Sequence, residues 1–154
     1  MKTKHFFFAA LAIAMLATSC KDNSSSPQAK VPDPEGTITV KVRNDDKDGG
    51  APFYITESNN FRGWDDKYVD CQYVDYGAVH GLGNVVSIPK SGWAYQVAVI
   101  PCHGYVMRLK DRTDVVVVGE EYYRLYVVEE LVGANTNGII GAVVKYQYPF
   151  EPTE

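Results

Sequence analysis

The chain has 154 residues, about the length of one domain, and a domain of this size can bury an adequate core without metals or disulfides. Its 15 basic and 19 acidic side chains give a formal net charge of −4. A mildly acidic chain is not expected to bind nucleic acid or another polyanion.

Residues 1–19 have the pattern of a targeting segment. Lys2 and Lys4 give a positive start, and residues 6–17 form an unbroken apolar run of 12 residues. A membrane-spanning helix needs about 20 apolar residues, so this run predicts a signal peptide that is removed. The remaining chain has 13 basic and 19 acidic side chains, a net charge of −6. Since that charge does not favour adhesion to anionic lipid, membrane attachment would have to be covalent.

Cys20 opens the polar part of the chain directly after Ala17, Thr18 and Ser19. Small residues before a cysteine resemble the cleavage box of bacterial lipoproteins, and that resemblance implies a diacylglycerol on the Cys20 sulfur. Leu16 stands one place further from the cysteine than the usual box leucine. Ala17 and Ser19 also suit an ordinary signal peptidase, which would leave Cys20 unmodified.

Residues 20–36 are predicted to be a flexible tether. Residues 21–36 hold three serines and three prolines but one bulky aliphatic side chain, Val31. Such a segment cannot bury enough apolar surface to offset the entropy of ordering it. The folded domain is therefore expected to span residues 37–154.

From residue 37 onward the dominant hydrophobic period is two. Residues 37–43 are an example, with Ile38, Val40 and Val42 on one face and polar side chains on the other. Similar stretches recur between turns rich in Gly, Pro, Asn and Asp, at residues 51–57, 67–76, 85–88, 92–100, 104–110, 114–119, 122–131 and 138–150. No stretch keeps a helical period for three turns. This pattern predicts an all-β fold, an antiparallel β-sandwich of immunoglobulin-like or related type, with eight to nine short strands and little helix.

Cys71 and Cys102 are the two cysteines inside the predicted domain. Two thiols in an oxidising compartment can pair, so a disulfide between them is one expectation. Two separate buried thiols are the alternative, because sequence alone carries no geometric information. The neighbouring Cys102 and His103 do not have a zinc spacing. We expect no metal there and no cofactor anywhere in the chain.

A weak calcium motif occurs at residues 44–50. Asn44, Asp46 and Asp48 occupy positions one, three and five of such a loop, and Gly49 occupies position six. Position twelve is Ile55, which cannot coordinate a cation unless Glu57 replaces it. A turn rich in residues that tolerate positive φ is the simpler interpretation.

Residues 59–66 are predicted to form a loop that combines aromatic, amide and charged side chains. Asn60, Phe61, Arg62 and Trp64 are the candidate ligand contacts. Aromatic rings stack on the apolar faces of sugars while amides and charged groups bind hydroxyls, so the loop could bind a glycan. The alternative is that Phe61 and Trp64 fill the end of the sandwich.

Catalytic motifs are not found. The sequence has no G-x-S-x-G elbow, no H-E-x-x-H and no phosphate-binding loop. Asp65, Asp66, Asp70 and Asp75 could supply a pair of glycosidase carboxylates, but acidic loop residues are usually only solvated. We therefore predict that the chain is not an enzyme.

Three stretches carry a family resemblance: residues 81–93, residues 101–108 with 122–131, and residues 138–150. Together with the start of the chain, they resemble a family of small, uncharacterised lipoproteins of Bacteroidota. The resemblance implies an outer-membrane lipoprotein on the cell surface or the periplasmic face, anchored by lipid at Cys20. We expect a binding or accessory module for a glycan or an envelope protein. The alternatives are a structural envelope protein that docks a partner chain and, less favoured, a glycan-active enzyme.

Overall fold

The computed structural model describes residue 20 and residues 28–46, 50–63, 69–112 and 117–152. These ranges contain eight β-strands and one 3₁₀ turn, η1. The strands are β1 Ile38–Arg43, β2 Phe53–Ile55, β3 Asn60–Gly63, β4 Val69–Ala78, β5 Gln96–Ala98, β6 His103–Arg112, β7 Val117–Val132 and β8 Ile139–Gln147, and η1 is Leu82–Asn84. The predicted signal peptide, residues 1–19, lies outside the described residues.

The strands form two antiparallel sheets. The large sheet has the order β1-β8-β7-β6-β4, and the small sheet has the order β2-β3-β5. A single parallel bridge between Asn44 and Ile55 connects the end of β1 to β2. The prediction of an all-β antiparallel sandwich is confirmed.

The main core lies between the two sheets. Alternation along each strand sends every second side chain inward. The large sheet supplies Tyr73, Met107 and Leu125, and the small sheet supplies Phe53, Ile55 and Phe61, all at most 2% exposed. Because both sheets contribute large apolar side chains to the core, the sandwich is stabilised mainly by the burial of apolar surface.

A second apolar cluster covers the opposite face of the large sheet. Val106 and Tyr126 of that face pack with Leu82, Val85 and residues near them. Leu82 and Val85 are 0% exposed although they belong to η1 and its flank, not to a strand. The connection between β4 and β5 therefore acts as a third layer, so both faces of the large sheet are covered.

Three predicted segments differ from the structure. Residues 60–63, expected as part of a loop, form β3, which is so short that only Phe61 alternates inward as a large apolar side chain. Residues 85–88, expected as a strand, follow η1 without pairing into a sheet. Residues 117–119 of the stretch at 114–119 and the whole stretch at 122–131 belong to one strand, β7, of 16 residues, and residues 114–116 lie outside the described ranges.

Candidate functional site

Phe61 is a core residue, so its prediction as a ligand contact is wrong. Its side chain is 0% exposed. Its ring centroid lies 5.5 Å from that of Phe53 and 5.1 Å from that of Tyr105 in edge-on geometry, and 6.0 Å from that of Tyr73 in stacked geometry. Edge-on and offset contacts are favourable arrangements for aromatic rings. The sequence alternative, a ring that fills the sandwich, describes Phe61 correctly.

Asn60 and Arg62 lie on the other side of β3, because successive side chains of a strand alternate between faces. Register places Arg62 opposite Tyr54 of β2 and opposite Gln96 of β5. We call these four residues, Tyr54, Asn60, Arg62 and Gln96, the outer face of the small sheet. Arg62 and Gln96 are exposed, while the Tyr54 side chain is 9% exposed. Trp64, the remaining predicted contact, lies outside the described residues.

Tyr54 and Gln96 were missed by the sequence analysis. The two residues are far from positions 60–62 in the chain, and only the strand register brings them together. The outer face offers a guanidinium and two amide side chains, which donate and accept hydrogen bonds in several directions, while Tyr54 is buried. Such a set suits a polar ligand, and it contains no nucleophile beside a general base.

The cysteines pair differently from the prediction. Cys102 is bonded to Cys20, with their Cα atoms 5.6 Å apart. Cys71 takes no part in a disulfide and is 2% exposed. In the register of β4 and β6, Cys71 faces Leu109, seven residues along the strand from Cys102. Seven strand residues span about 23 Å, whereas a disulfide requires Cα atoms within about 7 Å.

The disulfide bears directly on the predicted anchor. A sulfur that is bonded to Cys102 has no free valence for a thioether to diacylglycerol. The disulfide and the predicted acylation of the Cys20 sulfur therefore exclude each other. The structure contains the first of them.

The described part of the tether, residues 28–36, is bound to the domain. Asn84, only 4% exposed, donates from Nδ2 to the Ala29 carbonyl at 3.0 Å and accepts from the Val31 N–H at 3.2 Å. Lys145 forms an ion pair with Asp33. The expectation of a flexible segment therefore does not describe these residues. That expectation was based on the low apolar content of the segment, whereas the segment is held mainly through its main-chain groups and one charged side chain.

Asp70 and Asp75 cannot act as a pair of glycosidase carboxylates. The two residues lie five positions apart on β4, about 16 Å along a strand, and their positions alternate between faces. A glycosidase pair needs carboxyl groups within about 5 to 10 Å. Asp75 is instead 3.0 Å from Nδ1 of His103. Asp65 and Asp66 lie outside the described residues.

The described start of the weak calcium motif, residues 44–46, forms a turn. Asp45 has φ 59°, and the N–H of Asp46 donates to the Arg43 carbonyl at 3.2 Å. The Asn44 amide donates to the Ile139 carbonyl, and Arg43 lines the same open depression as Asn44. In the described ranges no three acidic, His or Cys side chains are grouped to hold a metal. Asp48 lies outside those ranges.

A small charged cluster lies near one end of the large sheet. The Tyr122 hydroxyl donates to Glu120 at 2.6 Å, and this bond, helped by Lys110 3.5 Å away, lowers the pKa of Glu120. Arg108 stacks over the Trp93 ring at 4.1 Å from its centroid. Because that indole face is covered by Arg108, Trp93 does not offer it as a stacking platform for a sugar.

The described part of the chain contains no helix with the length and apolar character that a membrane crossing requires.

Comparison with known proteins gives a family match. The model of a domain of unknown function, DUF5036, matches residues 48–152. No curated protein and no solved structure matches the chain. Since the match covers 105 of 154 residues, the chain belongs to the DUF5036 family.

Proposed function

We propose that this protein is a cell-envelope lipoprotein that acts as a non-catalytic binding module. Its anchor is a lipid on Cys20, and its location is the outer membrane, on the cell surface or the periplasmic face. The signal-like start and the small residues before Cys20 support the anchor. The outer face of the small sheet is the proposed ligand contact, for a glycan or a protein segment.

One observation carries the binding role. The large sheet is covered on both faces by this chain's own residues, whereas the small sheet presents Arg62 and Gln96 side by side in register and exposed. The strand pair fixes the backbone positions of these two side chains, so a ligand would have to order only their rotamers and not their spacing.

The binding role is tested with the mature chain on a glycan array and against envelope protein fractions. The test variant is Arg62→Ala with Gln96→Ala, and the matched control is Lys90→Ala, an exposed residue of another segment. The double variant should lose most of the binding while the control keeps it. Binding that is equal in all three proteins would reject this face as the contact.

The anchor is tested by metabolic labelling with palmitate. The wild-type chain and Cys102→Ala should both be labelled, and Cys20→Ala should not. Equal labelling of Cys20→Ala would reject Cys20 as the attachment point. Digestion of intact cells with protease then distinguishes display on the surface from attachment on the periplasmic face.

A second candidate, a structural protein that docks a partner chain, is favoured by the outer edge of β1, which pairs with no second strand in the described part of the chain. This strand pairs with β8 on one side and ends the large sheet on the other. Ile38 is 47% exposed and Lys41 is exposed, and an open edge can receive a strand from another protein. Crosslinking in cells should then trap a reproducible partner, lost on Thr39→Pro; recovery of monomer alone rejects this candidate.

A further inference from the structure

Residues 28–36, all exposed except Pro34, lie along the surface formed by Gly83 and Asn84 of η1 and by Lys145 and Gln147 of β8. Asn84 satisfies its amide on the main chain of residues 29 and 31. Gln147 Nε2 donates to the Glu35 carbonyl at 2.9 Å. Since these bonds reach main-chain groups, they hold the path of the segment as well as single side chains.

Gly83 shows how closely the segment approaches η1. A Cβ at position 83 would lie 2.2 Å from the Pro32 carbonyl oxygen and 2.8 Å from that of Val31. Contacts this short are not tolerated, so only glycine allows the segment to approach η1. Close fit, buried amide pairing and the Lys145–Asp33 ion pair together make a built seat for residues 29–35.

The seat shortens the chain between the anchor and the domain. If the segment were free, 17 residue steps from Cys20 to Thr37 could span about 56 Å; with the segment seated, eight steps from Cys20 to Gln28 span at most about 26 Å. A domain of this size has a diameter of about 35 Å by the usual scaling of the radius of gyration. A link shorter than the domain prevents the domain from turning its far end to the bilayer.

The seat lies near one end of the sandwich through contacts that do not involve the disulfide. Its Lys145 is level with Tyr126 of β7, Tyr126 is level with Gly104 of β6, and Cys102 directly precedes β6. The other end of β6 lies nine residues away, about 30 Å along the strand. We propose that the seated segment is a fixed mount, which holds the Cys102 end of the domain beside the lipid surface in the anchored protein.

This inference rests on the proposed acylation of Cys20, so the experiment uses the acylated protein in vesicles. The vesicles contain phosphatidylcholine and a lipid whose headgroup reacts with amines. Lys41 reports the mount end and Lys110 reports the far end. In the strand registers Lys41 is level with Glu129 of β7 and Lys110 with Glu120, a separation of about 30 Å along the strand.

The measured quantity is the ratio of Lys41 to Lys110 modification, read by mass spectrometry and divided by the ratio for a soluble amine reagent. The mount predicts a ratio several-fold above one for the wild type. Asn84→Leu, which removes both amide bonds, should return the ratio toward one, and Lys90→Ala, at an exposed position outside the seat, should leave it high. Thermal unfolding checks that the variants fold. If Asn84→Leu does not fold, Lys145→Ala replaces it, because it weakens the contact of the segment with the domain by removing only the ion pair with Asp33.

A ratio near one in wild-type protein that is acylated and bound to vesicles would overturn the mount. An equal, high ratio in Asn84→Leu and Lys145→Ala would also overturn it, because the seat would then not set the orientation. If no acyl group is found on Cys20, the proposed anchor fails, and that result is recorded by mass before any ratio is measured.

Discussion

Phe61→Ala should be among the most damaging substitutions in this domain. The ring is fully buried and contacts Phe53, Tyr73 and Tyr105. Removal of a buried Phe side chain costs about 3 to 5 kcal/mol, because transfer energy is lost and a cavity remains. The loss should fall in the upper half of that range, since three aromatic neighbours cannot easily close around the space.

Thermal unfolding followed by circular dichroism measures the effect. A domain of 118 residues has an unfolding entropy of about 0.25 kcal/mol per degree, so a loss of about 4 to 5 kcal/mol should lower the midpoint by about 16 to 20 °C. Arg62→Ala, the exposed neighbour on the same strand, should change stability by at most about 0.5 kcal/mol. If Phe61→Ala lowered the midpoint no more than Arg62→Ala, the placement of Phe61 in the core would be refuted.

Three further predictions concern a disulfide and two ionisable groups. In the oxidised, non-acylated chain, Cys102→Ala should lower the free energy of unfolding by about 4.5 kcal/mol, which is the chain-entropy value for a separation of 82 residues. Denaturant titration measures this loss, and an unchanged midpoint contradicts the bond to Cys20. Burial, with a smaller contribution from the neighbouring Tyr148, raises the pKa of Tyr123 to about 12, so its contribution to stability is complete below pH 10 and is lost as the pH rises through 12. Tyrosinate absorbance should contain a late-ionising component, and Tyr123→Phe should reduce its amplitude by one tyrosine, because burial also raises the pKa values of Tyr73 and Tyr105; an unchanged amplitude contradicts the raised pKa of Tyr123. The lowered pKa of Glu120 contributes stability that is lost as the pH falls through that pKa, and Tyr122→Phe should raise the pKa in an NMR titration; an unchanged value contradicts the hydrogen bond.

The sequence predicted the fold class because period-two alternation is a local signal. Strands β1, β4, β6 and β8 each carry enough alternating positions to be recognised. The four residues of β3 do not, and Phe61 there was assigned to a loop. Val85 shows the opposite case, since its apolar neighbourhood suggested a strand although it packs from a connection.

The candidate site was only half predictable. Asn60 and Arg62 share a face through alternation, which a sequence reader can infer once a strand is assumed. Tyr54 and Gln96 join them through register, which depends on turn lengths and non-local pairing. The cysteine pairing was out of reach for the same reason, because the bond joins residues 20 and 102, which are 82 positions apart in the chain.

The seat of residues 29–35 and the bond at Cys20 are separable, and this gives a last prediction. No hydrogen bond or ion pair described for the seat uses the Cys20 sulfur; the contacts come from Asn84, Lys145 and Gln147.

Trypsin must bind an extended stretch around Lys30 to cut after it, and the contacts of the seat keep that stretch from entering the protease. Cys20→Ala should therefore keep the bond after Lys30 protected, whereas Asn84→Leu should expose it, as followed by mass spectrometry over time. If Cys20→Ala were cut as fast as Asn84→Leu, the segment would be held by the disulfide and not by the contacts of the seat. Protection in both the disulfide and the acylated protein is what a fixed mount requires, because the mount must persist when the sulfur carries lipid.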